Sequence, residues 1–432
     1  MRLRHPEGGR ASIRSGLAIA PGVILALSSG LVWAQDHPNG LYLTSPLSLS
    51  AGDDHNFNTA AGQLDDTVVL LDSPTFAWMK STHQTLFLLN YRPEFEIFSG
   101  HSDLNAWNNV ADLHITHQIN GRVSVEAGDS FLSTMDPSRE LQNSLLLLPR
   151  GRFNQNSFYT SLGYRLNART KLTFRFDDAF TTASLPGPLA GRLDQVSNAG
   201  TVTLDRTLSR NQKLSGSYSF LHGHPLNEAV SGSPTNVNQA GIAYTYENSS
   251  LVLQLGGGVV AGSQSAFTGV AAVQKRLGRV WLAAGYQRYI SFFENFAPVG
   301  LPAAPAGPFA QGVNPSSVYQ VGSLRAWGQL TKRVGLEAVV QRALNGGNAQ
   351  ENSVKSVIAH LRLDYKITDR LTWFTRLEFY GQNVNEFSPL SVSRSRYFAG
   401  LEFTLSRPPE TGSRARGKTP QVSAETHPPE EI

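Results

Sequence analysis

The chain has 432 residues, 37 Lys+Arg against 33 Asp+Glu, and no cysteine. The missing thiols exclude a disulfide scaffold, thiolate metal sites and cysteine catalysis. Arg2, Arg4, Arg10, Arg14 and Glu7 all lie near the N-terminus; without them the charges nearly balance, which leaves no basic field for nucleic acid.

Those arginines head an apolar stretch, GLAIAPGVILALSSGLVWA, with small residues towards its end. The pattern predicts a signal peptide over 1–34, cleaved after Ala34. The stretch is short and broken by Pro21, which disfavours a lasting anchor. There is no Arg-Arg pair for the twin-arginine route. Beyond Ala34 no apolar run approaches the roughly 18 residues that a membrane helix needs.

Residues 35–84 are rich in Asn, Asp, Ser and Gly. They read as a periplasmic N-terminal extension with at most one short hairpin in TVVLLDSPTFAWMKS. Within them GDDHN, residues 52–56, reads as a solvated loop.

From Thr85 to Ser406 one theme repeats. A strand-like run of roughly ten residues meets a compact polar turn, and another run follows. The turns include HQINGR, YRLNARTK, YENSS, VQKRLGR and YKITDR. Connections at the opposite ends, near 133–152, 181–193, 223–236, 291–315 and 343–352, are longer and irregular. This predicts an all-β fold: a transmembrane antiparallel up-and-down β-barrel over 85–406. It has about sixteen strands, or eighteen if the pair before Thr85 joins the wall. A propeller would repeat four short strands at a constant 40–50-residue spacing, and that spacing is absent. A soluble sandwich would leave outward Leu, Phe and Trp uncovered.

Each run has an apolar and a polar face. Leu172, Phe174 and Phe176 oppose Thr173, Arg175 and Asp177; Trp373, Leu377 and Phe379 oppose Arg376 and Glu378. In a barrel the apolar face meets lipid and the polar face a wet lumen. The candidate lumen-lining residues are Glu126, Arg175, Asp177, Glu337, His360, Arg362, Asp364, Arg376, Glu378 and Glu402. Tyr164, Tyr218, Tyr244, Tyr246, Tyr286, Tyr365, Trp373 and Tyr380 gather near strand ends, where a membrane interface favours aromatics.

The final strand, RYFAGLEFTLS, resembles the C-terminal signal that the bacterial barrel-insertion machinery reads, through Gly400, Phe403 and Leu405. The family pattern ends the chain on an aromatic, whereas here a proline-rich, mixed-charge tail follows over 407–432, predicted to be disordered. NYRPEFEIF and VEAGDSFLS resemble phrases of porin-like bacterial outer-membrane β-barrel proteins. That resemblance implies fold and location rather than activity.

Little else carries chemistry. Gly128-Asp129-Ser130 resembles the nucleophile block of GDS-type lipases, but no late Asp-x-x-His accompanies it. His114 and His117 should face opposite sides of a strand, so they cannot share a metal. His222 and His224 share a face at a loop mouth and lack further ligands. Gly256, Gly257 and Gly258 lie inside a strand, where they mark a bend or a close approach. No catalytic residue, metal or cofactor is expected.

The expected function is a porin-like outer-membrane channel for passive diffusion of small polar solutes or ions. The alternatives are a structural or adhesive barrel that binds partners through its outer loops, and an outer-membrane hydrolase. Expected partners are outer-membrane lipid, the barrel-insertion machinery and small polar solutes, with a homo-oligomer left open and nucleic acid excluded.

Overall fold

A computed structural model describes residues 39–55, 65–136, 150–184, 194–226, 234–263, 265–291, 317–346, 354–384 and 391–404. The expected signal peptide over 1–34, the expected tail over 407–432, Leu405 and nearly all of 291–315 lie outside them. The described residues form β1 (Gly40–Leu43), β2 (Leu47–His55), β3 (Asp65–Asp72), β4 (Phe76–Ser81), β5 (Thr85–Phe98), β6 (Ala106–Gln118), β7 (Val123–Thr134), β8 (Arg152–Asn167), β9 (Thr170–Ser184) and β10 (Gln195–Ser209). The remainder are β11 (Gln212–Pro225), β12 (Thr235–Glu247), β13 (Leu251–Gly262), β14 (Ala266–Leu277), β15 (Val280–Ser291), β16 (Ser317–Gln329), β17 (Val334–Gly346), β18 (Val354–Lys366), β19 (Leu371–Val384) and β20 (Ser391–Phe403). Among the described residues, no helix is long and apolar enough to cross a membrane.

From β5 to β20 each strand pairs antiparallel with the next, and β20 closes the sheet on β2, with Leu47 opposite Phe403 and His55 opposite Ser395. The 20 segments make a barrel of 18 wall strands. Segments β1 and β2 form one strand interrupted at 44–46, and β3 and β4 form another interrupted at 73–75. Both β3 and β4 pair with the same edge of β5, while β1 pairs with β4 and β2 with β3.

This corrects the expected count of about sixteen: residues 40–81, read as an extension, contribute the first two wall strands. The physical cause is proline. Pro46 and Pro74 sit in the two interruptions, where each removes a ladder donor. Pro93 lies in β5 beside them, its carbonyl accepting from Ser73 N at 3.2 Å. Thr75 N bonds Ser45 Oγ at 2.7 Å and so bridges the two gaps. The broken period hid strands that the sheet repairs with side-chain and bulge bonds. GDDHN is corrected likewise: Gly52 to His55 belong to β2.

Short turns crowd one end of the barrel and long connections the other. At the short-turn end, side chains of the turn residues replace the missing ladder. Thr368 Oγ1 of YKITDR accepts from Leu371 N at 3.0 Å. Asn120 Oδ1 accepts from Arg122 N and Val123 N, and Asn248 Oδ1 from Leu251 N. The β14–β15 hairpin needs a left-handed residue, and Gly278 supplies it at φ 63°.

The two faces of the closed sheet differ in kind. Leu255 (59 % exposed), Phe174, Phe220, Trp373, Leu377 and Leu401 stand on the outer face. Arg362, Arg376, Glu378, Arg394, Arg396 and Glu402 are buried on the inner one. A continuous outer surface of Leu, Phe and Trp suits hydrocarbon, and closure leaves no unpaired sheet edge for hydrocarbon to meet. Among the aromatics expected at the interface, Tyr380 is corrected: it is buried on the inner face, its hydroxyl 3.3 Å from Glu378.

Candidate functional site: the charged lumen wall

The interior of β17 to β20 and β2 carries two rows of charge set by register. Glu337, Arg362, Arg376 and Phe398 are successive cross-strand partners. So are His360, Glu378, Arg396 and Asp54. Period-two alternation places these side chains inward on every strand, and antiparallel pairing lines them up.

Within the rows charges are matched. Arg362 Nε bonds Asp364 Oδ1 at 2.8 Å and its Nη2 reaches across β19 to Glu402. Arg325 Nη2 meets Glu337 at 2.8 Å. Arg376 and Arg396 each lie 3.5 Å from a carboxylate oxygen of Glu378. Aromatic rings also support guanidinium groups from below: Arg362 lies 4.7 Å above Phe374, Arg376 5.5 Å above Phe398 and Arg325 5.0 Å above Trp327. The stacking explains why Phe374 and Phe398 face the interior, where a cation covers each ring.

The remaining predicted residues form a second cluster on β6 to β9. Tyr159 donates to Glu126 Oε1 at 2.7 Å, and His114 Nδ1 lies 2.9 Å from the same hydroxyl. Arg175 lies 4.1 Å above the Tyr159 ring and forks onto Asp177 at 2.6 and 2.8 Å. The ten predicted residues thus all point inward but separate into two groups on different parts of the wall.

The most buried part of the lumen involves residues that the sequence reading missed. Asp136 and Arg150 stand at the two feet of the β7–β8 connection, which is closed at its base by Gly151 N bonding Met135 O at 3.0 Å. Residues 137–149 between them lie outside the described part. Asp136 bonds Arg394 through both carboxylate oxygens at 3.0 and 2.7 Å, and also bonds Arg396. Asp54 forks onto Arg394 at 2.8 and 2.5 Å. Arg150 bonds Glu96 at 2.9 Å and lies 4.5 Å above Phe98. Asn108 joins in, donating to Glu96 and accepting from Met135 N.

Asp136 and Arg394 are both at most 1 % exposed. Between β7 and β20 stand β6, β5 and the two interrupted strands, so this contact can only cross the interior. Burial alone would raise the Asp136 carboxyl, but Arg394, Arg396 and Arg150 outweigh it and hold the group well below the usual carboxylate range.

A signal for part of this was present. Stepping back by twos from Glu402 through Gly400 and Phe398 places Arg396 and Arg394 inward. Asp136 and Arg150 lie in a connection, where periodicity gives no orientation.

The other sequence candidates resolve simply. Ser130 donates to Asp112 Oδ1 at 2.7 Å, which is not the Ser–His contact of acyl transfer. His117 pairs with Thr85 on the outer face at 2.8 Å, opposite to His114. His222 Nδ1 lies 2.8 Å from Asn236 Oδ1. Among the described residues no group of His, Asp and Glu is arranged to hold a metal. Gly258 marks a close approach: a Cβ there would meet Ala240 O at 2.5 Å. Gly400 lies at the β20–β2 seam and Phe403 on the outer face.

No protein-family model matches the chain. No curated protein matches it either. Among solved structures, OccAB4 of Acinetobacter baumannii aligns at 9 % identity over 84 % of this chain and 99 % of that one, TM-score 0.43. The siderophore receptor PirA of Pseudomonas aeruginosa aligns at 10 % identity over 83 % and 80 %, TM-score 0.37. The siderophore receptor PirA of A. baumannii gives 9 % over 84 % and 81 %, TM-score 0.39.

Proposed function

We propose that this chain is a bacterial outer-membrane channel through which small polar solutes or ions diffuse passively. The observation that carries the reading is the Asp136–Arg394 contact. It fixes the foot of the β7–β8 connection inside the barrel and so narrows an aqueous path that a wall of this size would otherwise leave wide. The apolar outer face supports membrane insertion, with the short turns on the periplasmic side and the long connections outward. The barrel-insertion machinery would read Gly400, Phe403 and Leu405 at its last strand.

Passage would be selected by the charged rows. Arg362 and Arg396 are hydrogen-bonded to carboxylates and Arg376 lies 3.5 Å from Glu378, so the wall presents a nearly neutral transverse field that orients dipolar solutes. No energy-coupling element enters this reading. Recording purified protein in planar bilayers under a salt gradient tests it. Stepwise ohmic currents are expected. A silent barrel, inserted but without current, would instead favour a structural or adhesive role through its outer connections.

A further inference from the structure

The outer face is uneven, and one sector of it has the chemistry of a lipid site. Between β13 and β17 the wall bears a cavity of about 670 Å³ open to the outside. Its floor is made of Ala271, Ala284 and Gly322, and Leu255 and Leu324, 59 % and 61 % exposed, stand as its ridges. Arg342 lines the same cavity towards the long-connection end.

Register adds two more cations. Arg342 pairs with Gly322 and Leu344 with both Gln320 and Lys355, so Lys355 is the diagonal outward neighbour of Arg342. Arg288 stands opposite Gln320, whose amide oxygen accepts from Tyr286 OH at 3.2 Å. Arg288 Nε is buried without a hydrogen-bond partner. Arg288, Arg342 and Lys355 make no ion pair among the described residues, and the outward positions of β15 to β18 include no Asp or Glu. The outer-face carboxylates Asp53, Asp65, Asp129 and Asp178 lie on β2, β3, β7 and β9, on other parts of the wall.

We infer that this groove holds one phosphorylated membrane lipid, its acyl chain along the Ala271–Ala284–Gly322 floor and its phosphate on Arg342, Arg288 and Lys355. Small residues let a chain approach the sheet closely, and the bordering leucines flank it on both sides. Three cations with no carboxylate partner among the described residues suit an anion, and Gln320 and Tyr286 supply further polar atoms at the same height. The inference goes beyond the channel reading, because retention of lipid does not require the lumen to conduct.

The test is native mass spectrometry of the detergent-solubilised full chain with dipalmitoyl phosphatidylglycerol, dipalmitoylglycerol or inorganic phosphate. The phosphatidylglycerol adduct should survive detergent removal, and Arg342→Ala should weaken it about fivefold, with a similar loss for Arg288→Ala. Gly322→Leu should also displace it, and no atom lies within 4 Å of the added Cβ, so the wall can accept the change. Equal retention of dipalmitoylglycerol overturns the inference. So does binding of inorganic phosphate as tight as that of the lipid. Indifference of the adduct to all three substitutions, or a second copy of the chain occupying the groove in place of lipid, does the same.

Discussion

Asp136 and Arg394 are 258 positions apart and meet through two hydrogen bonds, at 3.0 and 2.7 Å, inside the barrel. One belongs to the foot of a long connection and the other to the last wall strand. Asp54 and Arg396 complete the group, so two arginines face two aspartates with little water. A buried charge set of this kind is costly to break from one side, because the survivor keeps its desolvation and loses its partner.

Asp136→Ala should therefore destabilise the folded barrel by about 3–5 kcal/mol. It leaves Arg394 and Arg396 with Asp54 and Glu378 alone. Unfolding in detergent followed by heat-modifiable gel mobility measures the loss. Adding Arg396→Ala should recover part of it, and an additive double variant would show the pair to be uncoupled. The single variant should also raise single-channel conductance, because the connection loses its anchor.

The same carboxyl fixes a pH response. Its folded value lies well below the unfolded one, so its contribution is complete above the unfolded value of about 3.9 and declines as pH falls from there towards the folded value. Conductance and stability governed by this contact should stay level from pH 7 to about 4.5 and change only in stronger acid. A midpoint near neutrality in bilayer recordings would assign the response to another group.

Glu402 neutralises Arg362 from across β19. Glu402→Gln should leave that row with surplus positive charge. The reversal potential under a KCl gradient should move towards the chloride value, and Glu402→Asp should restore most of the native figure. An unchanged potential would place the solute path away from β18–β20.

Leu377 and Glu378 are neighbours in β19 with opposite surroundings, the first 43 % exposed on the outer face and the second buried within. Leu377→Arg should cost about 2–4 kcal/mol if that face meets the hydrocarbon midplane. Refolding into lipid vesicles with urea titration reports it. A cost below about 0.5 kcal/mol, ordinary for a water-exposed site, would argue against burial in lipid.

Gly52 and Gly400 lie at the seam where β2 closes on β20. A Cβ on Gly52 would fall 1.8 Å from Tyr397 O, and one on Gly400 2.5 Å from Leu49 O. Gly52→Ala should impair closure and increase the fraction of heat-modifiable but protease-sensitive protein. Gly216→Ala, where nothing lies within 4 Å, serves as the tolerant control.

The sequence by itself determined the all-β class, the alternation of faces and the ends at which turns are short. All three follow from local physics: a pleat of period two, turn residues that tolerate tight backbone geometry, and apolar side chains that must avoid water on one face. The ten residues it offered as lumen-lining share the polar face of the alternation, because each lies in an unbroken run. Prolines 46 and 74 erased the period where the first two wall strands lie, so the count fell short there. Only the tertiary structure decided what lies opposite what. Register joined Glu337 to Arg362 and Arg376, closure brought β2 against β20, and the β7–β8 connection carried Asp136 across the interior to Arg394. Such contacts depend on how the whole sheet curves shut, and no window of the chain contains that curvature.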